Sequence, residues 1–456
     1  MTMVGPKRFA AFGNWTFTIV WAGQLVSNIG SGLTRFALAV WIFQTTGSIT
    51  KFTLIAVFSL LPTVLLSPFA GALVDRWDRR RILILADSGG GFSTLALAIL
   101  FFAGHPDIRL VYLAVLISAT FSAVRWPALT AATTQLVPER HFGRANGLMQ
   151  IVQAGQVLIS PLLAGVLIAV VQVQGVVLID FATFAFALLT LASIRIPRPE
   201  ASAEGQAGKG TLIREAGYGW SYIRARSGLF ALMLFTSGVA FLVEMVAILA
   251  GPLILAFSSP AVLGRVMSIG GIGYLAGAVA MSAWGGPKRR VHAVLGFTAL
   301  LGVFSGLAGL RSSIPVITVG VSMVLFCLPI ILSASGAIWQ SKVAPDVQGR
   351  VFAFRRMIVT ASQPLAALIG GPVADRVFEP LLRVNGSLAG SVGTILGVGP
   401  GRGIGLLYLT IGLICVGLAI GGYLYPRIRL VEDELPDRVG ERAQVPTPVP
   451  AEIAGG

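Results

Sequence analysis

Gly71-Ala-Leu-Val-Asp75-Arg76-Trp-Asp78-Arg79-Arg80-Arg81 is the stretch that decides how this chain is read. An apolar run from Phe52 to Val74 stops at Asp75, the seven residues 75–81 carry six charges, and a second apolar run starts at Ile82. Apolar runs of about 20 residues have the length of membrane-spanning helices. A cluster of arginines between two of them marks a cytoplasmic turn, because Lys and Arg stay on the cytoplasmic side. The helix before this turn therefore runs inward and the helix after it runs outward.

Composition agrees. Of 456 residues, 55% are hydrophobic and 12% charged, against about 25% charged in a soluble domain. The mean hydropathy is +0.83. The apolar runs are continuous, without the alternation of a membrane β-barrel, so the spans are helices, which satisfy their own backbone in lipid. The 55 glycines suit close helix packing. The net charge of +15 reads as topology, with no interleaved basic and aromatic patch to suggest nucleic acid. Cys327 and Cys415 both lie in apolar runs, too few for a disulfide framework or a cysteine zinc site. His105, His141 and His292 fall at loops or span ends and form no metal pattern. No phosphate-binding Gly-x-x-x-x-Gly-Lys-[Ser/Thr] is present. No cofactor, metal or enzymatic activity is expected, and an ion gradient is left as the energy source.

Twelve spans are expected, over 15–43, 52–74, 82–103, 110–132, 147–170, 175–195, 229–255, 263–284, 293–310, 314–340, 351–373 and 403–425. With both termini cytoplasmic, 25 Lys and Arg fall on the inside and 7 on the outside; the remaining two of the 34 are Arg35 and Arg125, within spans. Residues 1–196 then form an N-terminal six-helix bundle and 227–426 a C-terminal one. Between them 197–226 is a cytoplasmic linker, its Thr211–Arg226 half able to lie on the membrane surface through Trp220 and Tyr222. The polar, Pro-rich 427–456 reads as a disordered cytoplasmic tail. The halves repeat. Pro138…Gly143-Arg144 after span 4 matches Pro345…Gly349-Arg350 after span 10, and Arg79-Arg80-Arg81 matches Lys288-Arg289-Arg290. The second-half loop lacks the Asp, so its pairing must differ. A duplicated helical unit places a substrate site between the halves near the midplane.

Polar residues within spans must face protein or water. Gln24, Ser27, Asn28, Ser31 and Arg35 share one face of span 1 and read as cavity lining, with helix–helix hydrogen bonding as the plainer alternative. Span 5 adds Gln150, Gln153, Gln156 and Ser160. Glu244 sits near the middle of span 7, where a charge costs about 2.5–3.5 kcal/mol on insertion scales. A carboxyl group among apolar side chains is the group type that takes up and releases protons, so Glu244 is the first candidate proton carrier. A structural ion pair with Arg35 or Arg125 is the alternative. Asp180, a few residues into span 6 and near the outer surface, is a second candidate or an interfacial acid. For Asp87 and Asp375, near span ends, salt bridging is expected.

The pattern Gly-x-x-x-Asp-Arg-x-x-Arg-Arg, at Gly71, Asp75, Arg76, Arg79 and Arg80, resembles the loop between helices 2 and 3 of the major facilitator superfamily, with Asp78 in place of a usual Gly. In that family the Asp pairs across a helix contact that holds one conformation; the plainer reading is a turn that only sets topology. Trp21-Ala-Gly-Gln-Leu-Val-Ser-Asn, Trp41-Ile-Phe-Gln-Thr-Thr-Gly and Gly370-Gly-Pro-Val-Ala-Asp375-Arg are similar to its bacterial branch containing the enterobactin exporter and the macrolide efflux proteins. Ser160-Pro161-Leu-Leu-Ala164-Gly165 resembles a degraded drug-antiporter signature, and Arg125 stands where proton antiporters of the family carry an Arg, without its usual context. The resemblance implies an all-α fold of twelve helices in two pseudo-symmetric six-helix bundles in a bacterial plasma membrane. It also implies alternating access, proton-coupled efflux of a small amphipathic drug, siderophore or secondary metabolite, and contact with protons and membrane lipid as a monomer. Uptake by proton symport, and a non-transporting sensor or lipid-handling protein on the same fold, stay as alternatives.

Overall fold

The computed structural model describes residues 15–104, 106–137, 142–194, 219–343 and 348–434. Among them there is no strand. Eleven helices among the described residues are long and apolar enough to cross a membrane. They are α1 (Trp15–Thr46), α2 (Ile49–Arg76), α3 (Arg79–Phe102), α4 (Ile108–Leu136), α5 (Phe142–Ala192), α6 (Ser227–Leu255), α7 (Pro260–Trp284), α8 (Arg290–Leu310), α9 (Ile314–Lys342), α10 (Gln348–Val373) and α11 (Arg402–Leu424).

The fifth helix resolves the difference from twelve. Its 51 residues would extend over roughly 75 Å if straight, more than twice the hydrocarbon thickness. The chain breaks at Gln172, whose φ of 57° is left-handed. Packing on α1 shows what the break does. The first arm runs beside α1 in the same direction, with Gly155 against Leu25 and Ile29, and Ser160 bonded to the Ile29 carbonyl at 2.9 Å. The second arm runs the opposite way, with Thr190 against Gly23 and Thr183 against Gly30. One helix thus crosses twice, and the chain is a multi-pass membrane protein with the twelve crossings expected, the break falling between the expected spans 5 and 6.

The helices gather into two groups. In the first, α1 packs on both arms of α5, and α3 and α2 on α4; in the second, α8 packs on α11 and α9, α9 on α7, and α6 on α10. The groups meet along two seams, α2 with α10 and α5 with α7. The helix starts at the basic turns show the repeat. Arg79 donates to the Ala131 carbonyl at 3.0 Å, and Arg290 to that of Ala337 at 3.4 Å. Asp78 caps α3 by accepting from the Arg81 N–H at 3.2 Å. The second-half turn has no acid of its own, and the cap comes from further along the chain. The Glu432 carboxylate accepts from the Val291 N–H at 2.8 Å, and Asp433 pairs with Arg289 at 3.4 Å.

That contact corrects the expectation of disorder from residue 427. The short helices Pro426–Arg429 and Val431–Glu434 dock on the C-terminal group, because α8 needs an acceptor at its first turn. Residues 435–456 lie outside the described residues. Of the expected linker, 219–226 is described: 219–224 is helical, and Trp220 meets Phe230 edge-on at 5.7 Å and Phe354 at a tilt at 5.6 Å between ring centroids.

Two losses of stability are expected. Glu432→Ala removes the α8 cap and lowers stability by about 1 kcal/mol. Gly30→Leu costs about 1–3 kcal/mol of overpacking, since a Cβ there would stand 2.1 Å from Thr183 Oγ1. Thermal unfolding of the purified protein, followed by tryptophan fluorescence, checks both as lowered midpoints.

Candidate functional site

The first group of helices brings a buried ion pair and a second buried acid close together. Asp87 on α3 is fully buried, and its carboxylate is satisfied from two sides. Arg125 on α4 donates to Oδ1 at 3.3 Å, and Gln24 on α1 to Oδ2 at 2.7 Å. The Arg125 guanidinium also donates to Ser27 Oγ at 3.3 Å and Ser122 Oγ at 3.2 Å, and lies 5.7 Å from the Phe184 ring centroid. With Arg125 8% exposed, this is an ion pair of the interior, which holds only when its remaining hydrogen-bonding positions are filled. Salt bridging of Asp87 is thus found, with the acid in the buried interior of α3. The alternative reading of Glu244, an ion pair with Arg35 or Arg125, is not found among the described residues.

Asp180, expected near the outer surface, is 2% exposed. The second arm of α5 begins earlier than expected and carries Asp180 inward, beside Gly30. Threonines surround it, Thr183 donating at 3.4 Å and Thr94 at 3.5 Å. Asp180 borders a cavity of about 160 Å³ together with Ser31, Thr34, Arg35, Ser59, Thr63, Ser118, Ser122 and Arg125. Such a volume holds several waters and is smaller than the roughly 300–1,000 Å³ of sites for drug-sized ligands. It is a polar chamber within one half of the molecule.

The polar face of α1 therefore divides. Ser31 and Arg35 line the chamber. Gln24 and Ser27 are buried against Asp87 and Arg125, and Asn28 donates to the Gln24 carbonyl at 2.8 Å. Gln156 packs beside Gly32 of α1. Glu244 is half-buried on α6 and makes no ion pair among the described residues. It lies one turn before Ile248, which packs on Val57 of α2 and Ala367 of α10, so it faces the seam between the groups, apart from the chamber. Asp375 likewise forms no salt bridge among the described residues; its carboxylate accepts from Ser48 and two backbone N–H groups at the start of α2. Arg80 donates to the carbonyls of Leu191 and Ala192 at 2.9 and 3.0 Å, tying the basic turn to the end of α5. Gly71, Asp75 and Arg76, beyond their place at the end of α2, lie outside the described residues, as do the side chains of Gln150 and Gln153.

Apart from Ser31, the chamber's hydroxyls went unassigned in the sequence. Ser118, Ser122 and Arg125 recur at helical spacing on α4, a signal present in the chain; Thr94 and Thr183 have none, since isolated threonines in spans are ordinary. Among the described residues no group of three or more His, Cys, Asp or Glu is placed to hold a metal.

Removing one partner of a buried pair leaves an uncompensated charge. Arg125→Leu is expected to cost about 3–5 kcal/mol, seen as loss of monodisperse protein on size-exclusion chromatography. Arg125→Leu with Asp87→Asn is expected to recover much of it.

Comparison with known proteins places this geometry. The chain is 28% identical over 373 residues to macrolide efflux protein A of Streptococcus pyogenes, covering 80% of this chain and 91% of that one. It is 25% identical over 373 residues to the multidrug efflux pump Tap of Mycobacterium tuberculosis, covering 79% and 87%. In fold it is similar to a mutant form of the nucleoside transporter NupG (TM-score 0.70, 12% identity, 89% of this chain and 99% of that one). It is also similar to a bacterial homologue of the iron transporter ferroportin in an inward-facing state (TM-score 0.66, 13% identity, 89% and 98%). The sequence model of the Major Facilitator Superfamily matches residues 20–367, well over half of the chain, and the protein belongs to that superfamily.

Proposed function

We propose that the protein exports a small amphipathic molecule across a bacterial plasma membrane by alternating access, driven by inward movement of protons, and that Asp180 carries the coupling proton. The observation that carries this reading is the polar chamber. A coupling acid has to be shielded from bulk water, has to border a space that can hold water, and needs a nearby charge that responds to its protonation. Asp180 meets all three, with Arg35 and Arg125 lining the same space. Asp87 is held by Arg125 and Gln24 and does not border the chamber. Glu244 borders the seam between the groups and is left for contact with cargo. The kinship with macrolide and multidrug efflux proteins supports export over uptake. The surplus of Lys and Arg at one end of the bundle supports a cytoplasmic placement of that end and of both termini.

The efflux reading is tested in everted membrane vesicles with an imposed pH gradient, using a macrolide, a cationic dye and a catecholate siderophore as probes. Wild type is expected to accumulate at least one probe and release protons as it does so. Asp180→Asn is expected to lose both, while Glu244→Gln keeps proton release and changes which probes are accepted. Proton release lost in Glu244→Gln and intact in Asp180→Asn transfers the coupling role to Glu244. No probe accumulated by wild type sinks the efflux reading.

A further inference from the structure

The first N–H groups of a helix have no partner within it, and three helices here find one close by in sequence. Asp78 serves α3, Asp107 serves α4, and Ser259 serves α7. At α2 the acceptor comes from the other half of the molecule. The Asp375 carboxylate accepts from Ser48 Oγ at 2.9 Å, from the Ile49 N–H at 3.0 Å and from the Thr50 N–H at 2.7 Å. Ser48 Oγ in turn accepts from the Lys51 N–H at 3.2 Å. Asp375 reaches this position from a π-helical turn, Ala374–Phe378, in which α10 widens as it ends; such turns redirect side chains at functional positions. Just before it, Gly371 lets α10 close on α2, since a Cβ there would stand 2.1 Å from Thr53 Oγ1 and 2.8 Å from Thr50 Cα.

The second seam is shut at the same end. Gly165 and Gly264 each lie against backbone of the opposing helix, at Pro260 and Pro161, and Ser268 donates to the Leu158 carbonyl at 2.7 Å. This is the end of the bundle opposite the Arg79–Arg81 turn. The contact made by Asp375 differs from every other cap named above in one respect: its acceptor and its donors belong to different halves. Its three charge-assisted hydrogen bonds, placed on the positive end of a helix, count only while that end is closed. When the halves part, three donors and one carboxylate return to water together.

From this we infer that Asp375 is the gating residue of the closed end, a latch that has to release in every transport cycle. The inference rests on the alternating-access reading above. Glu379 supplies the comparison. One turn further on, it also caps a helix, accepting from the Gly401 and Ile404 N–H groups at 3.3 and 3.1 Å, but within a single half. A carboxylate cap that merely holds the fold and one that sets the balance of states thus lie side by side.

The test is a pair of distances in the full-length purified protein, read by pulsed electron spin resonance without cargo. One label pair, at Thr45 and Arg383, reports the latched end; the other, at Arg81 and Lys288, reports the basic-turn end. Loss of a charge-assisted hydrogen bond is expected to lower the closed-to-open ratio at the latched end about tenfold in Asp375→Asn, with a matching shortening at the basic-turn end. Ser48→Ala should move the ratio in the same direction by less. Glu379→Gln should lower the thermal midpoint and leave the ratio unchanged. A ratio unaltered in both Asp375→Asn and Ser48→Ala, or altered equally by Glu379→Gln, overturns the inference. Because the distances need no cargo, failure here is distinct from failure of the vesicle assay, which tests efflux alone.

Discussion

Inside a bilayer no water is available to complete a polar group, and that constraint governs where this chain puts its few acids. Nearly all the described intramembrane carboxylates are accounted for by donors. Asp87 takes Arg125 and Gln24. Asp180 takes hydroxyls of Thr94 and Thr183. Asp375 and Glu379 take the first N–H groups of α2 and α11. Outside the membrane Glu432 does the same for α8. The exception is Glu244, whose position at the seam between the halves leaves it open to whatever occupies that seam.

The two halves share a plan and differ in what they bury. Matching arginines at Arg79 and Arg290 hold matching carbonyls on α4 and α9, so the repeat is real at the level of single contacts. The polar chamber has its lining in the first half alone. The second half holds the large apolar core spanning α6 to α11. A buried ion pair beside a hydroxyl-lined chamber suits the proton handling proposed for the first half, where small shifts of charge must be felt. A seam bordered by this apolar core and by Glu244 suits an amphipathic cargo, which gains by burying carbon and needs little polar contact.

Movement between states then depends on contacts whose two sides belong to different halves. The seams are built from glycines and backbone oxygens, which fit closely and bring little directional bonding of their own. Against that background a carboxylate with three donors carries disproportionate weight in the balance of states. Rigid halves with slender polar ties at their ends can rock as units, because few bonds must break at once.

Much of this was legible in the chain. The charged turn at 75–81, the run lengths and the distribution of Lys and Arg require a helical membrane protein of twelve crossings, because span length and charge placement are properties of local sequence read against a slab of lipid. The repeat was legible too, down to the missing acid of the second basic turn. What replaced that acid was not: Glu432 lies some 140 residues away, and only the folded chain brings it to α8. The same holds for Asp180, which looked interfacial until the break at Gln172 fixed the depth of the second arm, and for Asp375, whose partners on α2 precede it by more than 300 residues. The residues that are costly in a membrane can be picked out one by one along the chain. The donors that answer them come together only when the helices pack, because a hydrogen bond is settled by a few tenths of an ångström between helices that sequence distance does not encode.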